Sequence, residues 1–309
     1  MMPQPADRSA PDHENLSRGD PGRRCVVVTG ASSGIGKAAA MAFAHMGWHV
    51  IGTGRDTGRC HEAEAEIRSS ASGPARIDFL RGDFSEMREV LRVAKDVQAL
   101  TDDVHVLVNN AGGIRDGCYR TSEGLEATFA ANHLAPFLLT RELRPLLERA
   151  AGTAAPGMVR VIAVSSSAHR IWPGMRWYDL MMKTAFDANA AYCQAKLANL
   201  LFTLELHRRL SDRGIVALAM HPGRVDSNFA SHGDETMQAY MAANACAAPE
   251  QPARTIVWLA TDPGLGGKGG CYFHDLAEEE PAPQALDYLE AEKLWRESDR
   301  ILAEILETA

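Results

Sequence analysis

No stretch of the 309-residue sequence approaches the ~20 consecutive apolar residues of a membrane span, and residues 1–22, rich in Pro, Asp, Arg, Ser and Glu, lack the apolar segment of a signal peptide. These absences predict a soluble, cytoplasmic chain with a disordered, solvated tail over residues 1–22 and one domain over residues 23–309. Cysteine is sparse. Cys25, Cys60, Cys118, Cys193, Cys246 and Cys271 lie far apart, with no CxxC and no histidine at metal-ligand spacing, so neither a disulfide framework nor a metal site is expected. A basic face is missing too: 32 Lys and Arg are interspersed with 40 Asp and Glu for a net charge of −8, which argues against a nucleic-acid partner and for a small molecule. No internal repeat or linker divides the chain.

What is present is a full core's worth of apolar residues, 46% of the total, arranged as short β-branched runs between helical patterns. Predicted strands are Cys25–Val28, His49–Ile51, Ile77–Leu80, Val104–Val108, Val159–Val164 and Ile215–Ala219, with a weaker seventh near Gly270–Phe273. Such runs, apolar without strict alternation, suit strands covered on both faces, and the expected fold is an α/β, single-domain doubly wound parallel sheet (Rossmann fold). Two excursions, about 170–190 and 226–252, interrupt the rhythm where open α/β sheets bind ligands. From Pro281 onward, Leu286, Leu289, Trp295, Ile301, Leu302, Ile305 and Leu306 predict a C-terminal helix packed on the domain or on a second copy of the chain.

The first strand runs into Thr29-Gly30-Ala31-Ser32-Ser33-Gly34-Ile35-Gly36-Lys37 and then an Ala-rich helix. Glycines at 30, 34 and 36 permit a tight turn and bring the N–H groups of Ser32, Ser33 and Ile35 towards a pyrophosphate at a helix N-terminus. The second strand ends in Gly52-Thr53-Gly54-Arg55, without the acid that accepts from an NAD ribose hydroxyl. Arg55 can pair with a 2′-phosphate and Thr53 can add a hydroxyl, so NADP(H) is the expected cofactor, with NAD(H) left open. Tyr192-Cys193-Gln194-Ala195-Lys196 sets a phenol and an ammonium on one helix face, where the cation would lower the phenol's pKa and let Tyr192 act as general acid or base. Ser165-Ser166-Ser167 closes the fifth strand, where a hydroxyl can hold a substrate oxygen.

In order and position, these segments resemble the short-chain dehydrogenase/reductase family from about residue 24 to near the C-terminus: TGxxxGxG at Thr29–Gly36, NNAG at Asn109–Gly112 and YxxxK at Tyr192–Lys196. The resemblance implies hydride transfer between nicotinamide and a carbonyl or alcohol carbon. It further implies that Asp83 meets the adenine amino group, that Asn110, Ala111 and Gly112 border the cofactor, and that Asn132 anchors a water in a proton relay ending at Lys196. It assigns Ser166 as the catalytic serine, with Ser167 as competitor, and places Tyr192, Lys196, Pro222, Gly223, Val225 and Ser227 against the cofactor. Thr121–Phe129, Asn132-His133-Leu134 and Lys196–Asn199 look most like the retinol-dehydrogenase branch. Its vertebrate members often carry a hydrophobic N-terminal anchor, a feature not seen here. His169 and His221 are expected to be structural. The apolar residues of the excursions, Ile171, Trp172, Met175, Trp177, Tyr178, Leu180, Met181, Met182 and Phe186 in the first and Phe229, Met237, Tyr240 and Met241 in the second, predict a bulky apolar substrate. The alternatives are a C=C reductase or epimerase/dehydratase of the same superfamily, or a non-catalytic dinucleotide sensor.

Overall fold

The structure, a computed structural model, describes residues 23–226 and 235–307; the tail, Ser227 and Phe229 lie outside them. Strands β1 (Cys25–Val28), β2 (His49–Gly54), β3 (Arg76–Arg81), β4 (Val106–Asn109), β5 (Val159–Val164), β6 (Ile215–Met220), β7 (Tyr272–His274) and β8 (Ala277–Glu278) form one sheet in the order β3-β2-β1-β4-β5-β6-β7-β8. All pairings are parallel except β7 with β8, an antiparallel edge that the sequence reading did not foresee because two residues carry no periodicity. The chain reverses direction across the sheet between β1 and β4, so the crevice beyond their carboxyl ends is the expected ligand position.

Burial on both faces explains the uniformly apolar strands. Val26 and Val28 join one core with Phe43 and Ile256, while Val27 joins the other with Leu138 and Leu201. The first face is covered by α1 (Gly34–His45), α2 (Thr57–Ser70) and α8 (Glu250–Thr261). The second is covered by α3 (Met87–Leu100), by the run α4 (Ala127–Phe129), a π-turn (Ala130–Leu134) and α5 (Ala135–Ala151), and by α6 (Ala188–Leu210). Helix α7 spans Glu235–Ala243. Two sites show why charged side chains sit inside. Arg160, fully buried in β5, donates to the carbonyls of Leu259 (2.6 Å) and Asp262 (2.8 Å), capping the C-terminal end of α8. Glu126 accepts from the N–H groups of Thr128 and Phe129, both at 2.7 Å, and starts the helical run that carries Asn132.

The C-terminal helix α9 (Tyr288–Glu307) packs on α6 of its own chain. Its buried face is Ala291, Leu294, Ser298 and Leu302, flanked by Trp295, Ile301, Ile305 and Leu306. Leu286 and Leu289 depart from the predicted stripe: Leu286 precedes the helix in a 3-10 turn, and Leu289 projects off the buried face, 77% exposed. Among the described residues all six cysteines are free, no helix is long and apolar enough to cross a membrane, and no group of acidic, His or Cys residues is disposed to hold a metal.

Candidate active site

The loop after β1 is shaped by backbone demands. Gly30 and Gly34 have φ of +69° and +52°, and a Cβ on Gly36 would strike the Gly30 carbonyl. Thr29 braces the turn: its hydroxyl donates to the Val108 carbonyl (3.2 Å) and accepts from the N–H groups of Asn110 and Ala111, each at 2.9 Å. Asn110 Nδ2 returns to the Thr29 carbonyl at 2.8 Å, so the NNAG segment holds the glycine loop in place. Thr29 was not singled out from the sequence, though its place at the head of the motif was the available signal. Helix α1 starts at Gly34 with Ser33 as N-cap, no side-chain capping bond and no acid in the first turn. Open N–H groups, a positive helix end and no competing carboxylate suit the pyrophosphate of a dinucleotide.

Beside this loop, Arg55 Nη1 lies 3.7 Å from Asp83 Oδ2, while Asp83 Oδ1 accepts from Ser85 N (2.9 Å) and Oγ (2.7 Å). Thr53 corrects an expectation. Strand alternation turns it inward, fully buried, with its hydroxyl 3.4 Å from Gly30 N, so it braces the glycine loop rather than facing a phosphate. Arg115, which the sequence reading missed, lies within electrostatic reach of both Arg55 and Asp83; burial and the like charge of Arg55 lower its pKa. The rim of the crevice therefore carries two guanidiniums around one carboxylate.

Tyr192, Lys196, Ser166 and Asn132 converge at the carboxyl edge of the sheet. The Ser166 side chain faces the Tyr192 phenol closely enough to oppose the rise in its pKa, whereas Ser167 is exposed and opens a 3-10 turn. Ser165 is buried and donates to the Lys196 carbonyl at 2.8 Å, tying α6 to β5. Lys196 Nζ donates to the Val164 carbonyl (3.0 Å) and lies 5.5 Å from the Tyr192 ring centre. The expected lowering of the phenol by Lys196 is not what this arrangement produces. Burial drives the Tyr192 pKa up, the neighbouring Ser166 side chain opposes it, and burial pushes the Lys196 ammonium down to about 8. Tyr192 is thus held protonated, a state suited to donating a proton.

Asn132 lies in the π-turn rather than in regular helix. Its Nδ2 donates to the carbonyls of Thr128 (2.8 Å) and Gly113 (2.9 Å), and its Oδ1 accepts from Gly113 N (3.1 Å). Both amide protons are therefore taken by backbone carbonyls, and Gly112 is enclosed between Asn132 and Lys196. Pro222 and Gly223, the latter at φ +74°, follow β6, and Val225 is buried and bridges to Ala247. His221 and His169 are both buried, the former 3.0 Å from Glu279 and stacked on His274.

The first excursion divides. Met175, Leu180 and Met181 join the main core and Trp177 donates to Glu290 at 2.6 Å, so these four pack the segment down instead of lining a pocket. Trp172, Met182 and Phe186 form a separate small cluster against Ala190 and Ala191, directly before Tyr192. Ile171 and Tyr178 are exposed. The side chains of Met237, Tyr240 and Met241 lie outside the described residues.

Comparison with known proteins agrees with this geometry. The sequence model of the short chain dehydrogenase family matches residues 24–238. Polyprenol dehydrogenase of Mus musculus is 37% identical over 283 residues, covering 90% of this chain and 83% of the relative. Retinol dehydrogenase 14 of Mus musculus is 33% identical over 294 residues, covering 90% and 86%. Among solved structures, an uncharacterized protein from Mycobacterium paratuberculosis matches with a TM-score of 0.68 at 32% identity, covering 90% of this chain and 92% of that one. The Pseudomonas aeruginosa RhlG/NADP complex, at 23% identity and a TM-score of 0.65, shares the fold. The chain belongs to the short-chain dehydrogenase/reductase family of oxidoreductases, in its retinol-dehydrogenase-like branch.

Proposed function

We propose that the chain is an NADP(H)-preferring oxidoreductase acting on the carbonyl or alcohol carbon of a bulky apolar substrate, with Tyr192 as general acid in reduction and general base in oxidation. The observation that carries this reading is the placement of Ser166 and Lys196 beside the buried Tyr192 phenol at the carboxyl edge of the sheet. The glycine loop and the open end of α1 would hold the pyrophosphate, and Arg55 the 2′-phosphate. The bound nicotinamide supplies or accepts the hydride. Ser166 orients the substrate oxygen, and Tyr192 gives that oxygen its proton as negative charge develops there. Lys196, whose ammonium lies 5.5 Å from the Tyr192 ring centre, would hold the ribose. Because both amide protons of Asn132 go to Gly113 and Thr128, a water relaying the proton back would be held by a carbonyl oxygen of Asn132 and not by its amide nitrogen.

The substrate class is supported by Trp172, Met182 and Phe186 ahead of Tyr192, and by relatives named for retinol and polyprenol. A screen of apolar ketones, aldehydes and secondary alcohols with NADPH, NADP, NADH and NAD, followed by product identification, tests the reading. Efficient turnover of long or polycyclic carbonyl compounds with NADPH is expected. Turnover confined to small polar carbonyls, or reduction of a C=C bond with the carbonyl untouched, overturns it.

A further inference from the structure

One imidazole joins the main chain of Ser166 to the segment that precedes α9. His169 Nδ1 lies 2.7 Å from the Ser166 carbonyl, which can only accept, so Nδ1 carries the proton. Nε2 lies 3.1 Å from the Ala282 N–H, which can only donate, so Nε2 is bare. Two backbone groups thus select a single neutral tautomer. The ring is wholly buried and edge-on to Tyr272, with centres 5.1 Å apart. Burial also lowers its pKa, which preserves the neutral form.

The same segment is fastened to both loops of the site. Arg170, next to His169, donates to Glu279 Oε1 (2.6 Å) and to the Glu280 carbonyl (2.5 Å). The other oxygen of Glu279 lies 3.0 Å from His221 Nε2, at the start of the Pro222-Gly223 loop. Ser166 is the N-cap of the short turn Ser167–Arg170, and its Oγ accepts from Ala168 N at 3.2 Å. The carbonyl held by His169 and the hydroxyl that meets Tyr192 therefore belong to one residue, whose orientation is set at both ends.

We infer that His169 is a positioning residue: through its Nδ1–H bond to the Ser166 carbonyl it fixes the serine main chain against residues 279–282, so that the Ser166 hydroxyl is aimed at Tyr192 and at the substrate oxygen. This rests on the oxidoreductase reading above. His169 touches neither substrate nor cofactor and acts only through Ser166.

The two ends of the ring can be separated by substitution. In His169→Asn the amide nitrogen occupies the place of Nδ1 and keeps the donor to Ser166, whereas His169→Gln reaches the place of Nε2 and loses it. The assay measures kcat and KM for the best ketone from the screen, NADPH affinity by fluorescence, and thermal stability, with Tyr192→Phe as control. His169→Gln should lose at least about 20-fold in kcat with NADPH affinity within about twofold. His169→Asn should keep kcat within about threefold of the wild type while losing as much thermal stability as the Gln variant. His169→Asn is decisive by itself if the Gln variant does not fold, since a loss of more than about 20-fold there overturns the inference. Equal kcat in the two variants, whether retained or lost, also overturns it, because packing alone would treat them alike. If Tyr192→Phe keeps full turnover, the oxidoreductase reading falls and this inference with it; if Tyr192→Phe is inactive and His169→Gln is not, only the role of His169 falls.

Discussion

Replacing His133 by leucine should flatten the acid limb of the stability profile. His133 is fully buried at the end of the π-turn, ringed by Phe129, Phe137 and Phe202 with ring centres 5.0, 6.2 and 6.3 Å away. Its Nε2 lies 2.8 Å from Ser298 Oγ, whose own proton goes to the Leu294 carbonyl at 2.8 Å, so Nε2 must be the donor. Nδ1 is buried and finds no partner among the described residues. Burial pushes this imidazole down to about 3 from an ordinary value of 6.5. The folded pKa is depressed, so the neutral ring's contribution is complete above the unfolded value and is lost as pH falls below it, when the unfolded chain takes up a proton that the folded chain refuses. Between pH 7 and pH 5 that one proton is worth about 2 kcal/mol. Leucine fills the site without titrating, and Ser298 keeps its bond to Leu294. Urea unfolding at the two pH values should therefore show the wild type losing about 2 kcal/mol more than His133→Leu on acidification. His105, His169, His207 and His221, also lowered by burial, contribute equally to both proteins. Identical losses would refute the argument.

Three further outcomes follow from the site. Arg55→Asp should weaken NADPH binding by about 2–4 kcal/mol through a lost charge-assisted contact and added repulsion, and NADH binding much less; titration calorimetry showing equal losses removes Arg55 from 2′-phosphate recognition. With Lys196 lowered to about 8, kcat/KM for ketone reduction should fall above about pH 8 as the ammonium deprotonates. In Lys196→Arg that limb should vanish from the accessible range at a lower plateau, and an unshifted limb would assign it to another group. Trp172→Ala should raise KM for a long or polycyclic ketone about tenfold, or ~1.4 kcal/mol, and leave a small ketone unaffected; equal effects on both would make Trp172 a packing residue only.

The sheet and the order of its motifs were legible because their signals are local. Val26-Val27-Val28 before Thr29–Gly36 reads as strand, turn and helix, and strands buried on both faces announce themselves by uninterrupted apolar runs. What escaped the sequence depends on contacts between distant segments. Glu279 pairs with Arg170 and His221, and Arg115 comes within electrostatic reach of Arg55 and Asp83; none of these relations leaves a periodic trace. Asn132 was noticed as an awkward residue in a helix, but only the structure shows its amide closing on Gly113 and Thr128 in a π-turn. Thr53 and, in the first excursion, Met175, Trp177, Leu180 and Met181 were given the right neighbourhood and the wrong direction. Facing cannot be read from composition in an excursion that has neither the period of a helix nor that of a strand, nor in β2, where every residue is buried whichever way it points. The Tyr192 pKa was misjudged for a related reason: proximity in sequence to Lys196 was visible, while the burial that outweighs it was not.

The account stands on Tyr192 as the proton donor, and Tyr192→Phe isolates that role because the ring and its packing remain while the transferable proton is removed. NADPH affinity and single-turnover hydride transfer to the best ketone from the screen should be measured on the same preparation of wild type and variant. The variant is expected to bind NADPH within about twofold of the wild type and to transfer hydride at least ~10²-fold more slowly, the scale of a lost general acid. Hydride transfer at the wild-type rate by a variant that binds NADPH normally would contradict the account.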